Sequence, residues 1–376
     1  MGTTHRRSGW TTVKAVSSLR RIVALALSAA TLVPVLALSP SALATSDPCT
    51  GKTSKLACLN STVTAAQVSD RLAASHRIVA LPSSTQPTLA YLSNTVSGMM
   101  SFYMPAGRCN NAARSADTGA ASVADCTFGN SRASAANTIV LTGDSRAMMW
   151  ATAYAKLATV LNWRLIVLSK PGCVAQTGAL TYLNVPGRPG PWIACDRFRS
   201  AVIADIASIK PALVVVASNP AASLADGRRT SQSTSLAHDN TYDYLHQLKN
   251  ASTTSTFVAL TGFPLLVNVV AGVANPVACV AAHKKDVRVC DIKSNNSTND
   301  DPTNVAVTQA AVDAGYATIN QKPWMCNVTC PAVVDKMLPY ARDGLHVDNV
   351  YSVWLMGVMW RSLAAVPNSP ISLPTN

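Results

Sequence analysis

The sequence predicts an α/β fold with a doubly wound, mainly parallel sheet flanked by helices. From residue 136 onward, short β-type runs alternate with longer helical patterns, as in a parallel sheet wrapped by helices. One of these runs, 212–218 (ALVVVAS), carries no charge, which is typical of a strand buried on both faces. The chain has 376 residues, 48% hydrophobic and 13% charged, enough to build a large core.

The first elements are apolar runs that end in turn residues. Strand 138–143 reads TIVLTG and closes on a glycine, and helix 145–162 follows at once. Strand 163–169 (WRLIVLS) precedes an amphipathic helix at 196–210, which Asp196 opens. After the buried strand 212–218 the pattern predicts helix 240–250, strand 256–263, an exposed loop at 293–304, helix 304–315 ending at Gly315, strand 316–321 and a closing helix at 347–365.

The N-terminal part divides into two segments. Residues 1–44 have a basic start, an apolar run at 22–38 and the small-residue sequence Ala42-Leu43-Ala44, which together predict a secretory signal peptide cleaved after Ala44. The apolar run is at the lower edge of a membrane span, so an uncleaved N-terminal anchor is the alternative. Residues 45–135 read as an extension with one helix (TAAQVSDRLAAS), leaving 136–376 as the main domain.

The net charge of +13 is concentrated at the start of the chain. Five basic residues lie within the first 21 positions, so beyond them 26 basic and 18 acidic residues leave +8. That charge suits an anionic envelope surface, and without basic runs interleaved with aromatics we expect no nucleic-acid partner.

Ten cysteines follow the predicted cleavage point, and an even number in an exported chain predicts disulfides. Simple neighbour pairing would give five short loops, although the sequence permits many other connectivities. Zinc binding by Cys326-x-x-x-Cys330 is the competing interpretation, with His346 the nearest histidine. The neighbour pairs are Cys49–Cys58, Cys109–Cys126, Cys173–Cys195, Cys279–Cys290 and Cys326–Cys330.

Candidate catalytic residues lie where this sheet would place a site, at the carboxyl ends of its strands. Ser145 follows the first strand, and Asp343 and His346 lie three apart before the last helix. The chain order Ser…Asp…His fits a serine nucleophile, a histidine base and an aspartate that orients it. Each residue also has a structural interpretation, since Asp144 or Ser145 could cap a helix, Asp343 form a turn and His346 lie on the surface.

Three blocks together resemble the SGNH (GDSL-like) hydrolase superfamily: TIVLTGDSRAMMW, ASN at 217–219 and DGLH. The chain is most similar to the SGNH domain fused to acyltransferase-3 family membrane proteins in actinobacteria. The similarity extends through WRLIVLSKPGC to the closing QKPWMCNVTCPAVVDKMLPYARDGLHVDNVYSVWL. It implies a three-layer, flavodoxin-like fold stapled by disulfides.

The resemblance also implies roles for single residues. Ser145 would be the nucleophile, His346 the base and then the acid, and Asp343 the residue that fixes its tautomer. The oxyanion hole would use the Ser145 N–H, a backbone N–H near Gly172 and the Asn219 side chain. Two positions depart from the family pattern: Arg146 stands where these domains usually have His, and the Gly-x-Asn-Asp block reads Ala-Ser-Asn-Pro at 217–220.

The sequence therefore predicts a secreted or extracytoplasmic serine esterase or O-acyltransferase that acts on acyl groups of cell-envelope carbohydrate. No cofactor and no metal are expected. The expected partners are an acylated carbohydrate or cell-wall polymer and a separate membrane acyltransferase that donates the acyl group. The alternatives are a catalytically silent glycan-binding or assembly module of the same fold, and a secreted lipase or thioesterase.

Overall fold

The computed structural model describes residues 48–94, 126–130, 137–264, 275–293 and 301–375. The predicted signal segment 1–44, Cys109 and most of the predicted loop 293–304 lie outside these ranges. All described residues belong to one compact unit, Leu43–Asn376.

The fold is a six-stranded, mainly parallel sheet flanked by helices, which confirms the predicted fold class. In space the strands follow the order β1-β3-β2-β4-β5-β7, with β1 antiparallel to β3 and the other five strands parallel. A separate antiparallel pair joins β6 to β8. The strands are β1 Thr127–Gly129, β2 Thr138–Gly143, β3 Arg164–Ser169, β4 Leu213–Ala217, β5 Thr256–Thr261, β6 Ile292–Lys293, β7 Ala317–Asn320 and β8 Thr329–Cys330.

The central strands are apolar because the sheet is covered on both faces. All six residues of β2 and all five of β4 are buried. The chain moves from β2 to β3 on one side and then crosses to β4 on the other, so the winding direction reverses between β2 and β4. In open α/β sheets, the crevice at the carboxyl ends of such strands is the usual ligand site.

The flanking helices form two packed groups. Helices α6, α7 and α9 contact one another in series, and α5 contacts α1, α11 and α12. Within the described residues, no helix is both long and apolar enough to cross a membrane. The helices are α1 Lys55–Ser61, α2 Ala65–Ser75, α3 Leu89–Asn94, α4 Ser145–Met148, α5 Ala151–Leu161, α6 Ile193–Ile209, α7 Thr234–Ala251, α8 Pro276–Ala282, α9 Pro302–Asp313, α10 Lys322–Met325, α11 Asn349–Trp354 and α12 Met356–Ala364.

Two predicted helices are each divided in the structure. The predicted helix 145–162 is α4 followed by α5, because Trp150 N–H donates to the Ala147 carbonyl (3.1 Å) in a tightened turn. The Trp150 indole N–H donates to Gln321 Oε1 (2.7 Å), which fixes the ring at this break. The predicted helix 347–365 likewise divides into α11 and α12 at Leu355.

Helices α1 and α2 of the predicted extension pack into the same core as the sheet. Cys58 and Leu59 of α1 and Val68 and Leu72 of α2 are buried members of the main hydrophobic cluster. Thr64 Oγ1 accepts the Gln67 N–H, and Gln67 Oε1 accepts the Thr64 N–H, which makes a complete capping box at the start of α2. The described part of the extension thus adds to the core of the sheet domain.

Four disulfides join cysteines within the described residues. Each joins two consecutive cysteines of the chain: Cys49–Cys58, Cys173–Cys195, Cys279–Cys290 and Cys326–Cys330. Cys126 is also disulfide-bonded, whereas its expected partner Cys109 lies outside the described residues. The bond between Cys326 and Cys330 means that these two sulfurs do not act as zinc ligands in this structure.

Candidate active site

Ser145 lies at the carboxyl end of β2, where the strand turns directly into α4. Asp144 is the N-cap of this helix, and its Oδ1 accepts a hydrogen bond from Arg146 N–H (2.8 Å). The cap is therefore formed by Asp144, and the Ser145 hydroxyl remains available for another contact. The cap and the candidate nucleophile of this turn are thus two adjacent residues, Asp144 and Ser145.

The turn that carries Asp343 and His346 is enclosed by an isolated β-bridge and is followed by α11. Tyr340 and Val347 pair across its base, and Ala341 N–H donates to the His346 carbonyl (2.9 Å). Asp343 Oδ1 accepts the backbone N–H groups of Leu345 (2.9 Å) and His346 (3.2 Å). One oxygen of the Asp343 carboxylate thus shapes the turn, while the other is directed at the imidazole.

The structure brings Ser145, His346 and Asp343 into one chain of hydrogen bonds. His346 Nδ1 is 2.6 Å from Asp343 Oδ2, and its Nε2 is 2.7 Å from Ser145 Oγ. His346 is only 4% exposed. Because a carboxylate only accepts, Nδ1 carries the proton and Nε2 is free to accept the proton of the serine hydroxyl.

Two effects act on the pKa of Asp343. Burial raises it, but the hydrogen bond and charge of His346, together with the N–H groups of Leu345 and His346, lower it, and the net shift is downward. A lowered pKa keeps this carboxyl ionised at neutral pH, the state that stabilises a charged imidazole.

Within the described residues, no group of three or more His, Cys, Asp or Glu side chains is arranged to hold a metal ion. The site itself offers a serine hydroxyl beside an oriented, buried base.

Comparison with known proteins places the chain in a family. A family model described as "SGNH domain (fused to AT3 domains)" matches residues 108–361, about two thirds of the chain. The chain belongs to this family. No curated protein matches the sequence. The periplasmic domain of a Salmonella ser. Paratyphi A lipopolysaccharide acetyltransferase is similar in structure, with a TM-score of 0.49, 15% sequence identity, and coverage of 71% of this chain and 97% of that domain.

The three oxyanion-hole candidates of this SGNH domain differ in what the structure shows of them. Ser145 N–H is the first amide of α4, and none of the described hydrogen bonds uses it. Asn219 follows β4, the neighbour of β2, and its Oδ1 accepts Ala221 N–H (3.2 Å). Gly172 lies with positive φ (77°) in the turn after β3, and its part in the hole stays a prediction.

Arg146, one of the two departures from the family pattern, is buried (4% exposed). Its guanidinium lies 4.3 Å from the centre of the Phe263 ring, in cation–π geometry. The side chain at this position thus packs against the loop that follows β5.

Sequence reasoning treated Asp144 only as a helix cap, but its side chain makes a second bond. Asp144 Oδ2 accepts the backbone N–H of Asn219 (3.1 Å), so one carboxylate joins the serine turn to the loop after β4. Burial raises the pKa of Asp144, opposed by the N–H and charge of Arg146 and by the N–H of Asn219. The sequence held one indication of this second bond: an N-cap uses one side-chain oxygen, whereas the carboxylate of Asp144 has two.

Proposed function

We propose that this chain is an exported serine esterase or O-acyltransferase that removes or transfers acetyl or other short acyl groups on cell-envelope carbohydrate. The observation that carries the proposal is the continuous hydrogen-bond chain from Asp343 through His346 to Ser145. Three unrelated surface residues would have no reason to share one line of donors and acceptors with a buried imidazole at its centre.

In the first half-reaction, Ser145 Oγ attacks the acyl carbonyl carbon while His346 Nε2 takes the hydroxyl proton. The negative oxygen of the tetrahedral intermediate would be held by Ser145 N–H and the Asn219 side-chain amide, with Gly172 N–H as the third expected donor. When the intermediate collapses, the bond to the sugar oxygen breaks, and His346 returns the proton to that oxygen. The products are the freed hydroxyl and acyl-Ser145.

In the second half-reaction, His346 takes a proton from water or from a sugar hydroxyl while the oxygen of that group attacks the carbonyl carbon of acyl-Ser145. The bond from the acyl carbon to Ser145 Oγ then breaks, and His346 returns the proton to Ser145 Oγ, which regenerates the enzyme. Water gives hydrolysis and a sugar hydroxyl gives transfer, so the ratio depends on which acceptor occupies the cleft. This cycle requires no cofactor.

The carbohydrate substrate and the extracytoplasmic location rest on family membership and on the disulfides. The family model is named for its fusion to acyltransferase domains, which supports an acyl-related function and a membrane acyltransferase as the acyl donor. Disulfides persist outside the reducing cytoplasm, which supports export.

The test is release of acetate from an O-acetylated polysaccharide, with and without a soluble sugar acceptor. Wild type should release acetate, and part of it should appear on the acceptor. Ser145→Ala should release none, whereas the control Ser200→Ala, an exposed serine on α6, should match wild type. Acetate release by Ser145→Ala at the wild-type rate, or none by wild type, would contradict the proposal and leave a silent glycan-binding module as the better interpretation.

A further inference from the structure

The turns after β2 and β4 are held together by consecutive contacts. Gly143 is paired with Ala217 in the sheet register, and a Cβ added at Gly143 would lie 1.9 Å from the Ala217 carbonyl oxygen. The two strand ends therefore approach more closely than a side chain would permit. One residue further on, the Asp144 carboxylate spans the gap to Asn219 N–H.

The two oxygens of Asp144 serve two different elements, the adjacent helix α4 and a loop 75 residues further along the chain. Oδ1 accepts Arg146 N–H and so fixes the first turn of α4, which carries Ser145. Oδ2 accepts Asn219 N–H and so fixes the loop after β4. With 1% of its surface exposed, the residue is shielded from water that would compete for these bonds.

The remaining bond of this loop determines the orientation of the Asn219 amide. Its Oδ1 accepts Ala221 N–H, so the carbonyl oxygen of the side chain is occupied and the NH2 group is the part left to donate. The backbone of Asn219 is bound to Asp144 and its side-chain oxygen to Ala221. Both bonds restrict where the NH2 group can lie relative to Ser145.

We propose that Asp144 is a positioning residue that sets the distance between the Ser145 N–H and the Asn219 side-chain amide, the two donors expected at the oxyanion. This inference rests on the proposed function. A helix cap alone would need only Oδ1, whereas the bond from Oδ2 to Asn219 serves the alignment of two donors from different strands. Donors in an oxyanion hole act by being placed before the charge develops, so a misplaced donor loses most of its effect.

Substitutions at position 144 can separate the cap from this bridge. In Asp144→Asn, the amide oxygen can still accept Arg146 N–H, but the NH2 group then faces Asn219 N–H, donor against donor. Asp144→Ser retains a cap and leaves the Asn219 N–H without its acceptor. Both variants should keep the fold, checked by circular dichroism and thermal melting, and one serves if the other fails to fold.

The experiment is a double-mutant cycle between position 144 and Asn219→Ala, with turnover of an aryl acetate as the readout. Each single variant should lower kcat, by about 10- to 100-fold for Asp144→Asn and about 100-fold or more for Asn219→Ala, with KM changed little. In the Asn219→Ala background, Asp144→Asn should cost little more, because Asp144 acts through the Asn219 amide. Asp144→Ser should behave in the same way.

Two other outcomes overturn the assignment in distinguishable ways. If the losses in kcat multiply in the double variant, Asp144 acts independently of Asn219, and only the positioning role is overturned. If wild type neither turns over the ester nor accepts a serine-directed phosphonate, the proposed function fails and this inference fails with it.

Discussion

Replacing Asp343 by Asn should change which imidazole nitrogen of His346 carries the proton. Asp343 Oδ1 accepts the backbone N–H groups of Leu345 and His346, so in the variant the amide oxygen should keep that place. The NH2 group would then take the place of Oδ2, which in the wild-type structure is 2.6 Å from His346 Nδ1. Because an NH2 group donates, Nδ1 becomes the acceptor and the ring proton moves to Nε2, where it faces the Ser145 hydroxyl.

A protonated Nε2 cannot take the serine proton, so the expected loss in kcat is about 10³- to 10⁴-fold. At about 1.4 kcal/mol per tenfold, this corresponds to roughly 4 to 5.5 kcal/mol of transition-state stabilisation. The assay is steady-state hydrolysis of an aryl acetate, normalised by phosphonate titration of the active serine. The control Asp335→Asn removes an exposed carboxylate that pairs with Arg71, and should retain wild-type activity. A kcat for Asp343→Asn within threefold of wild type would refute the tautomer argument.

Three further predictions concern stability. Burial raises the pKa of Asp348 to about 7, although the backbone N–H groups of Val350 and Asn349 oppose the shift. Folding then takes up a proton, so the free energy of unfolding should fall as pH rises from about 4 to 7. Asp348→Asn can still cap α11 and should flatten the decrease of Tm with pH. An unchanged slope would contradict the raised pKa. Gly143→Ala should lower Tm far more than Gly190→Ala. Both glycines have positive φ, but only at Gly143 would the added Cβ lie 1.9 Å from a carbonyl oxygen, that of Ala217. Equal losses of Tm would mean that the contact with Ala217 does not cause the destabilisation. Replacing Cys173 and Cys195 together by Ser should cost about 3 kcal/mol in chemical denaturation, from the entropy of a 22-residue loop, and a cost near zero would argue against the bond.

The parallel strands were predictable because their signals are local and strong. The four central strands were predicted to within two residues at every end, since each is a short apolar run bounded by glycine, serine, asparagine or proline. Strand β1 was missed because three residues are too few for a periodic pattern, and its place at the sheet edge depends on pairing with β3.

Long-range contacts account for what the sequence did not indicate. The pattern over 145–162 is continuously helical, yet the helix divides where Trp150 bonds to Gln321, 171 residues away. The contact of Ser145 with His346, and of His346 with Asp343, agrees with the predicted topology, in which functional residues collect at the carboxyl ends of the strands. The bond from Asp144 to Asn219 did not, because it depends on how closely the ends of β2 and β4 approach.

In the proposed function, Ser145 is a nucleophile activated by His346. The most direct measurement is the mass of the intact protein after brief exposure to an aryl phosphonate, followed by peptide mapping of the adduct. We expect one phosphonyl group, located on Ser145, and none in Ser145→Ala or in His346→Ala, which lacks the base. An unmodified wild-type protein, or an adduct on any other residue, would contradict it.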